Sequence, residues 1–69
     1  MPIYLADLNE DIVIRKITGS DKIKNHLLHL GFIEGEVVQV IQKVDENIII
    51  RIKGVKMALS KELARRILI

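Results

Sequence analysis

The chain reads as a mainly β domain. The expectation is a small closed or half-open barrel of five short strands, with one α-helix after the first strand and a short helical turn before the last. Three observations predict it. Ile, Leu and Val supply most of the apolar residues, with Tyr4 and Phe32 the only aromatics, and such β-branched richness favours strands. Apolar residues follow a helical spacing between Ile23 and Leu30, whereas elsewhere they fall in short runs bounded by turn residues. Most of those runs are joined by hairpin-length connections with no obviously guarded edge, and closing a sheet on itself is how all-β chains manage edges. Sixty-nine residues make one domain, 1–69, with one modest core. There is no internal repeat, low-complexity tract or linker.

Each element has its own signal. Leu5-Ala6-Asp7-Leu8 places two leucines three apart, which predicts a short segment packing one edge onto the core. Asp7, Asn9, Glu10 and Asp11 are turn residues. Ile12 to Ile17 reads as one strand, with Ile12 and Ile14 on one face and Val13 on the other. Val13 predicts either burial on both faces or a covering helix. Thr18-Gly19-Ser20 breaks the strand. Ser20 or Asp21 caps a helix whose apolar residues fall at Ile23, Leu27 and Leu30, spaced i, i+4, i+7. Gly31 then stands where a left-handed residue ends a helix, and Phe32 follows where it can cover Leu27.

Ile33-Glu34-Gly35-Glu36 predicts a turn with Gly35 at positive φ. Val37 to Val44 is the second strand, with Val38 and Val40 on one face and Val37 and Ile41 on the other. Asp45-Glu46-Asn47 is a hairpin loop. Ile48 to Lys53 follows, with Ile48, Ile50 and Ile52 inward and Ile49, Arg51 and Lys53 outward. Lys53-Gly54 suits a tight reversal into Val55 to Leu59. Ser60 caps the turn Lys61-Glu62-Leu63, and Arg65 to Ile69 closes the sheet with Ile67 and Ile69 on one face.

Composition narrows the chemistry. With no cysteine there is no disulfide, thiolate zinc site, iron–sulfur cluster or cysteine nucleophile, and the chain fits a reducing cytoplasm. The apolar runs are too broken for a membrane span, which needs about 20 residues. Met1-Pro2-Ile3-Tyr4-Leu5 has no basic segment leading an apolar one, so no signal peptide is expected. Net charge is +2. Acids outnumber bases up to Glu36; from Val37 onward Lys43, Arg51, Lys53, Lys56, Lys61, Arg65 and Arg66 reverse the balance. This pattern fits a footprint for an acidic partner, nucleic acid or a membrane surface, but the expected reading is a solvated strand exterior.

Catalytic motifs are missing. There is no phosphate-cradling glycine loop and no nucleophile elbow, and Ser20 and Ser60, the only serines, both start helices. No base, nucleophile and oxyanion donor can be assembled, so an enzyme is not expected. His26 and His29 are neighbours at i, i+3 and make the best case for a divalent metal such as Fe²⁺, with Glu34 or Glu36 approaching from the next turn. A firm site needs three or four ligands, so the expectation is no bound cofactor and two polar residues on an open helix face. Nucleic acid is a weaker expectation still, because RNA-binding sheets carry stacking aromatics.

The residues "ITG" at Ile17-Thr18-Gly19, "LLHLGFIEGEVVQV" from Leu27 to Val40, "IKGVKMAL" from Ile52 to Leu59 and "ELARRILI" to the end together resemble the FeoA family of bacterial ferrous iron uptake proteins. The match covers nearly the whole chain. It rests on Leu27, Leu30, Gly31, Phe32, Gly35, Gly54, Ala58, Leu59, Ala64 and Ile67. The resemblance implies an SH3-like barrel with a helical insertion. It also implies a non-enzymatic cytoplasmic accessory that acts on FeoB, a membrane transporter with a cytoplasmic G-protein domain. The sequence departs from the family pattern in three places: Asn9-Glu10-Asp11 replaces a glycine turn, Glu34 stands where proline is common, and Ser60 where a base is common. A related domain ends DtxR-type iron-dependent repressors, so a metal-responsive regulatory module is the alternative. This chain has no helix-turn-helix region.

Partner binding is assigned to apolar residues surplus to one inner face: Leu28, Ile33 and Ile49, with Val37 and Ile41 expected under the helix. Ile48-Ile49-Ile50 is expected to expose a sticky strand edge, making self-association plausible.

Overall fold

The computed structural model describes residues 1–69. Its strands are Ile12–Val13 (β1), Lys16–Ile17 (β2), Val37–Val44 (β3), Asn47–Ile52 (β4), Val55–Ser60 (β5) and Ile67–Leu68 (β6). The helices are Asp21–His29 (α1) and Lys61–Ala64 (α2), and a 3₁₀ turn covers Ile3–Leu5. The strands form two antiparallel sheets, one ordered β1-β3-β4-β5 and the other β2-β6. Of the closed or half-open barrel expected, the half-open form is the one present: two antiparallel sheets share one core without full closure.

The single first strand expected over Ile12–Ile17 is divided between those sheets. The Ile14 N–H donates to the Glu36 carbonyl at 2.9 Å, on the β3 side, while the next N–H, Arg15, donates to the Leu68 carbonyl at 2.8 Å. The chain thus changes partner between two consecutive residues. Counted as one bent strand, β1 and β2 restore the expected five. Ile14, at the bend, is buried, but Val13 is exposed and no helix covers it.

Local signals set the rest. The Ser20 hydroxyl accepts from the Ile23 N–H at 3.3 Å, and the Ser60 hydroxyl accepts from the Leu63 N–H at 3.2 Å, so each serine caps its helix. At the end of α1 the Phe32 N–H reaches the Leu27 carbonyl and the Gly31 N–H the Leu28 carbonyl, both at 3.0 Å. That is a Schellman ending, and it holds Gly31 at φ 102°. β4 and β5 are joined by the two-residue turn Lys53-Gly54, with φ 51° and 77°, as a type I′ hairpin requires. Asn9, in the turn before β1, also takes a positive φ of 62°.

The core contains thirteen residues, all apolar. Ile48, Ile50 and Ile52 face inward as the alternation requires, with Val38 and Val40 beside them. In the first segment the phase is the reverse of the one expected: Ile3 and Ala6 are buried, whereas Leu5 and Leu8 are exposed. The 3₁₀ turn covers only Ile3–Leu5, with the Ala6 N–H bonded back to the Ile3 carbonyl at 3.0 Å and extended backbone at Ala6. Its eclipsed pair is therefore Ile3 and Ala6, and Leu8 lies beyond the turn. A bulge at Ile41 separates the Val40–Ile50 pair from the Gln42–Ile49 pair, which leaves Ile41 half-buried.

The expectation for Ile48-Ile49-Ile50 is also corrected. These residues lie in β4, which pairs with β3 on one side and β5 on the other. They expose no strand edge.

Candidate partner-binding surface

The junction between α1 and β3 builds an apolar groove. Leu27 and Leu28 are adjacent on α1, so they point about 100° apart around the helix. Leu27 enters the core with full burial, and Leu28 is left 50% exposed. The Schellman ending then sends the chain back across the helix end. Phe32 is buried and Ile33 remains 42% exposed. The Gly35 N–H donates to the Ile14 carbonyl at 2.7 Å and the Glu36 N–H to the Ile33 carbonyl at 3.0 Å, so the turn carrying Ile33 is tied to the bent strand.

The groove is lined by Ile17, Leu28, Phe32 and Ile33, with Lys24, Asn25 and Glu34 also on its walls. Its volume of about 310 Å³ lies at the bottom of the roughly 300–1,000 Å³ range of small-molecule pockets. It is open and carries one cation and one anion, a surface suited to an apolar anchor from a protein partner.

The structure brings Leu28 and Ile33 together and leaves Ile49 elsewhere. Ile49 is half-buried on the outer face of β4, opposite Gln42 and Ala58. Val37, expected under the helix, is exposed instead and pairs directly with exposed Val13. Alternation puts Val13 opposite to Ile12 and Ile14, and with no helix over it the Val13–Val37 pair forms a second exposed apolar patch. Of the motif residues, Leu59, Ala64 and Ile67 are buried, while Ala58 points outward.

His26 and His29 are both exposed on α1. No group of three or more His, Asp or Glu side chains is positioned to hold a metal ion. Glu36 instead lies 3.5 Å from Lys53, and Glu34 faces the groove. The residues present do not fit a built metal centre. The aromatics are also engaged: Phe32 is buried, and the Lys61 ammonium sits 5.4 Å from the centre of the half-buried Tyr4 ring.

The FeoA domain family model matches residues 1–69, the whole chain. The chain belongs to the FeoA family. Solved structures agree on the fold. An iron uptake regulatory FeoA protein superposes with a TM-score of 0.88 at 26% identity, over 97% of this chain and 91% of its own. The Stenotrophomonas maltophilia FeoA, solved with zinc and described as a prokaryotic SH3 domain protein, gives 0.83 at 24%, over 99% and 87%. The iron(II) transport protein A of Clostridium thermocellum gives 0.88 at 22%, over 99% of this chain and 43% of its own. The architecture is thus the SH3-like fold of FeoA proteins, without full closure. Nothing among the curated proteins matches the chain. No helix is long and apolar enough to cross a membrane.

Proposed function

We propose that this chain is a non-enzymatic accessory protein of ferrous iron uptake that works on the cytoplasmic side by docking on a FeoB-like transporter. The observation that carries this reading is the FeoA family match across all 69 residues. The fold supports it by offering an open apolar groove at the junction of α1 and the turn before β3. In this reading Leu28 and Ile33 form the anchor site, and Lys24 and Glu34 orient the partner. Ile49 lies outside it.

The test is substitution at exposed positions. Ile33→Asp and Leu28→Asp place a carboxylate in a surface that a partner would dehydrate. Each is expected to weaken binding to the transporter's cytoplasmic domain at least about tenfold, as removal of an interface anchor does. Thermal stability should stay close to that of the parent, because neither side chain is in the core. Calorimetric titration that finds parental affinity in both variants contradicts the groove assignment.

A second reading follows from the zinc in the S. maltophilia relative, namely a metal-responsive regulatory domain. Here His26 and His29 are the candidate ligands, and no third His, Asp or Glu is placed to complete a site with them. Equimolar zinc or ferrous ion is expected to leave their ring signals unmoved, with weak shifts appearing only at large excess. Saturation near one equivalent would favour the regulatory reading.

A further inference from the structure

β5 is the outer strand of the four-stranded sheet, and its free side is both unpaired and basic. The two-residue turn makes Ile52 and Val55 the closing pair of the hairpin, which bonds across the ladder. Alternation then turns the N–H and C=O groups of Met57 toward β4 and those of Lys56 and Ala58 away from it. No cap, turn or loop hydrogen bond uses a backbone group of Lys56 or Ala58. Both residues are exposed. The edge therefore offers two N–H and two C=O groups in the alternating pattern that an added strand needs.

Charge decides what kind of strand. Arg51 and Lys56 are directly opposite across β4 and β5, on the outer face. Like charges so placed destabilise a sheet. Neither takes part in an ion pair: the three present are Lys53–Glu36, Arg65–Glu62 and Arg66–Glu62. The Arg51 guanidinium donates to the Gln39 amide oxygen at 3.4 Å, and that amide in turn donates to Asp11 at 2.8 Å. A second copy of β5 would fit the bonding pattern, with Lys56 opposite Ala58, but it would place two Arg51–Lys56 pairs side by side on one face. Electrostatics opposes self-pairing and favours a strand bearing carboxylates.

We infer that the β5 edge is a docking site for an acidic extended peptide segment of a partner, which adds a fifth strand to the sheet and sets a carboxylate against Lys56. Main-chain bonds to Lys56 and Ala58 supply affinity, and the side chain beside Lys56 supplies selectivity. Ala58, small and outward, leaves room for the neighbouring side chain of the incoming strand. The site is separate from the groove at Leu28 and Ile33.

The test is an amide-resolved NMR titration of the full chain with a capped hexapeptide alternating Val and Glu, and with its Val-Lys counterpart. The Val-Glu peptide should shift the β5 amides and slow hydrogen exchange at Lys56 and Ala58. The Val-Lys peptide should bind at least about tenfold more weakly, and Lys56→Glu should invert that order. Ile33→Asp should change neither result, which separates this site from the groove. Equal binding of both peptides, or shifts outside β5, overturns the inference. So does concentration-dependent protection of Lys56 and Ala58 in the free protein, which would assign the edge to a second copy. Oligouridylate producing the same shifts more tightly than the Val-Glu peptide would assign it to nucleic acid.

Discussion

Gly31 and Gly35 do different work at the same backbone cost. Gly31 ends α1 at φ 102°, and Gly35 closes the following turn at φ 90°. A methyl at Gly31 would meet only Ile52 Cδ1 at 3.5 Å, an ordinary contact, and one at Gly35 would meet nothing within 4 Å. The penalty for alanine is therefore conformational rather than steric. Gly31→Ala and Gly35→Ala are each expected to lower stability by about 1–2 kcal/mol, read as a shift in urea midpoint at unchanged slope. Both positions were legible in the sequence because a glycine follows a completed apolar stripe at one and sits in a polar turn at the other. Leu5 and Leu8 are exposed for an equally local reason. The 3₁₀ turn ends at Leu5 and the backbone is extended at Ala6, so the Leu5–Leu8 spacing does not mark one helical face, and a sequence does not show where so short a turn stops. His26 and His29 stand apart from both cases: nothing in the fold gives them a third ligand.

Elements defined by near-neighbour chemistry came through the sequence intact. α1, the β4–β5 hairpin and the Ser60-capped α2 each follow from a cap, an alternation or a turn dipeptide. The first strand did not, because its division depends on β3 and β6, whose edges lie far along the chain. The bulge at Ile41 was hidden for the same reason: a single extra residue in β3 is visible only against β4. The hairpin permits a constructive test. Lys53 holds φ 51° without being glycine or asparagine, whereas asparagine tolerates that region readily. Lys53→Asn is expected to stabilise the protein by about 0.5 kcal/mol. The measurement belongs at high salt, where loss of the exposed Lys53–Glu36 pair counts for little.

The whole molecule depends on one apolar core with no disulfide and no polar residue among those fully buried. Ile50 is fully buried at its centre, on β4, one of the two inner strands of the four. Ile50→Ala is expected to cost about 2–5 kcal/mol, a large share of what a domain of this size holds in reserve. Chemical denaturation should show one cooperative transition moved to lower denaturant. The same architecture leaves two surfaces unsatisfied: the groove between α1 and the turn before β3, and the free side of β5. Neither was fully legible beforehand. The sequence marked Ile33 and Leu28 as surplus apolar residues but grouped them with Ile49, and it assigned the exposed edge to β4 rather than β5. Surplus can be counted in a sequence, but adjacency in space requires the fold. The most direct test of the central claim is an amide-resolved titration of this protein with the cytoplasmic domain of a FeoB-like transporter. Saturable shifts centred on Leu28, Phe32 and Ile33, lost in Ile33→Asp with the fold intact, are the predicted result. No binding, or undiminished binding by that variant, would contradict it.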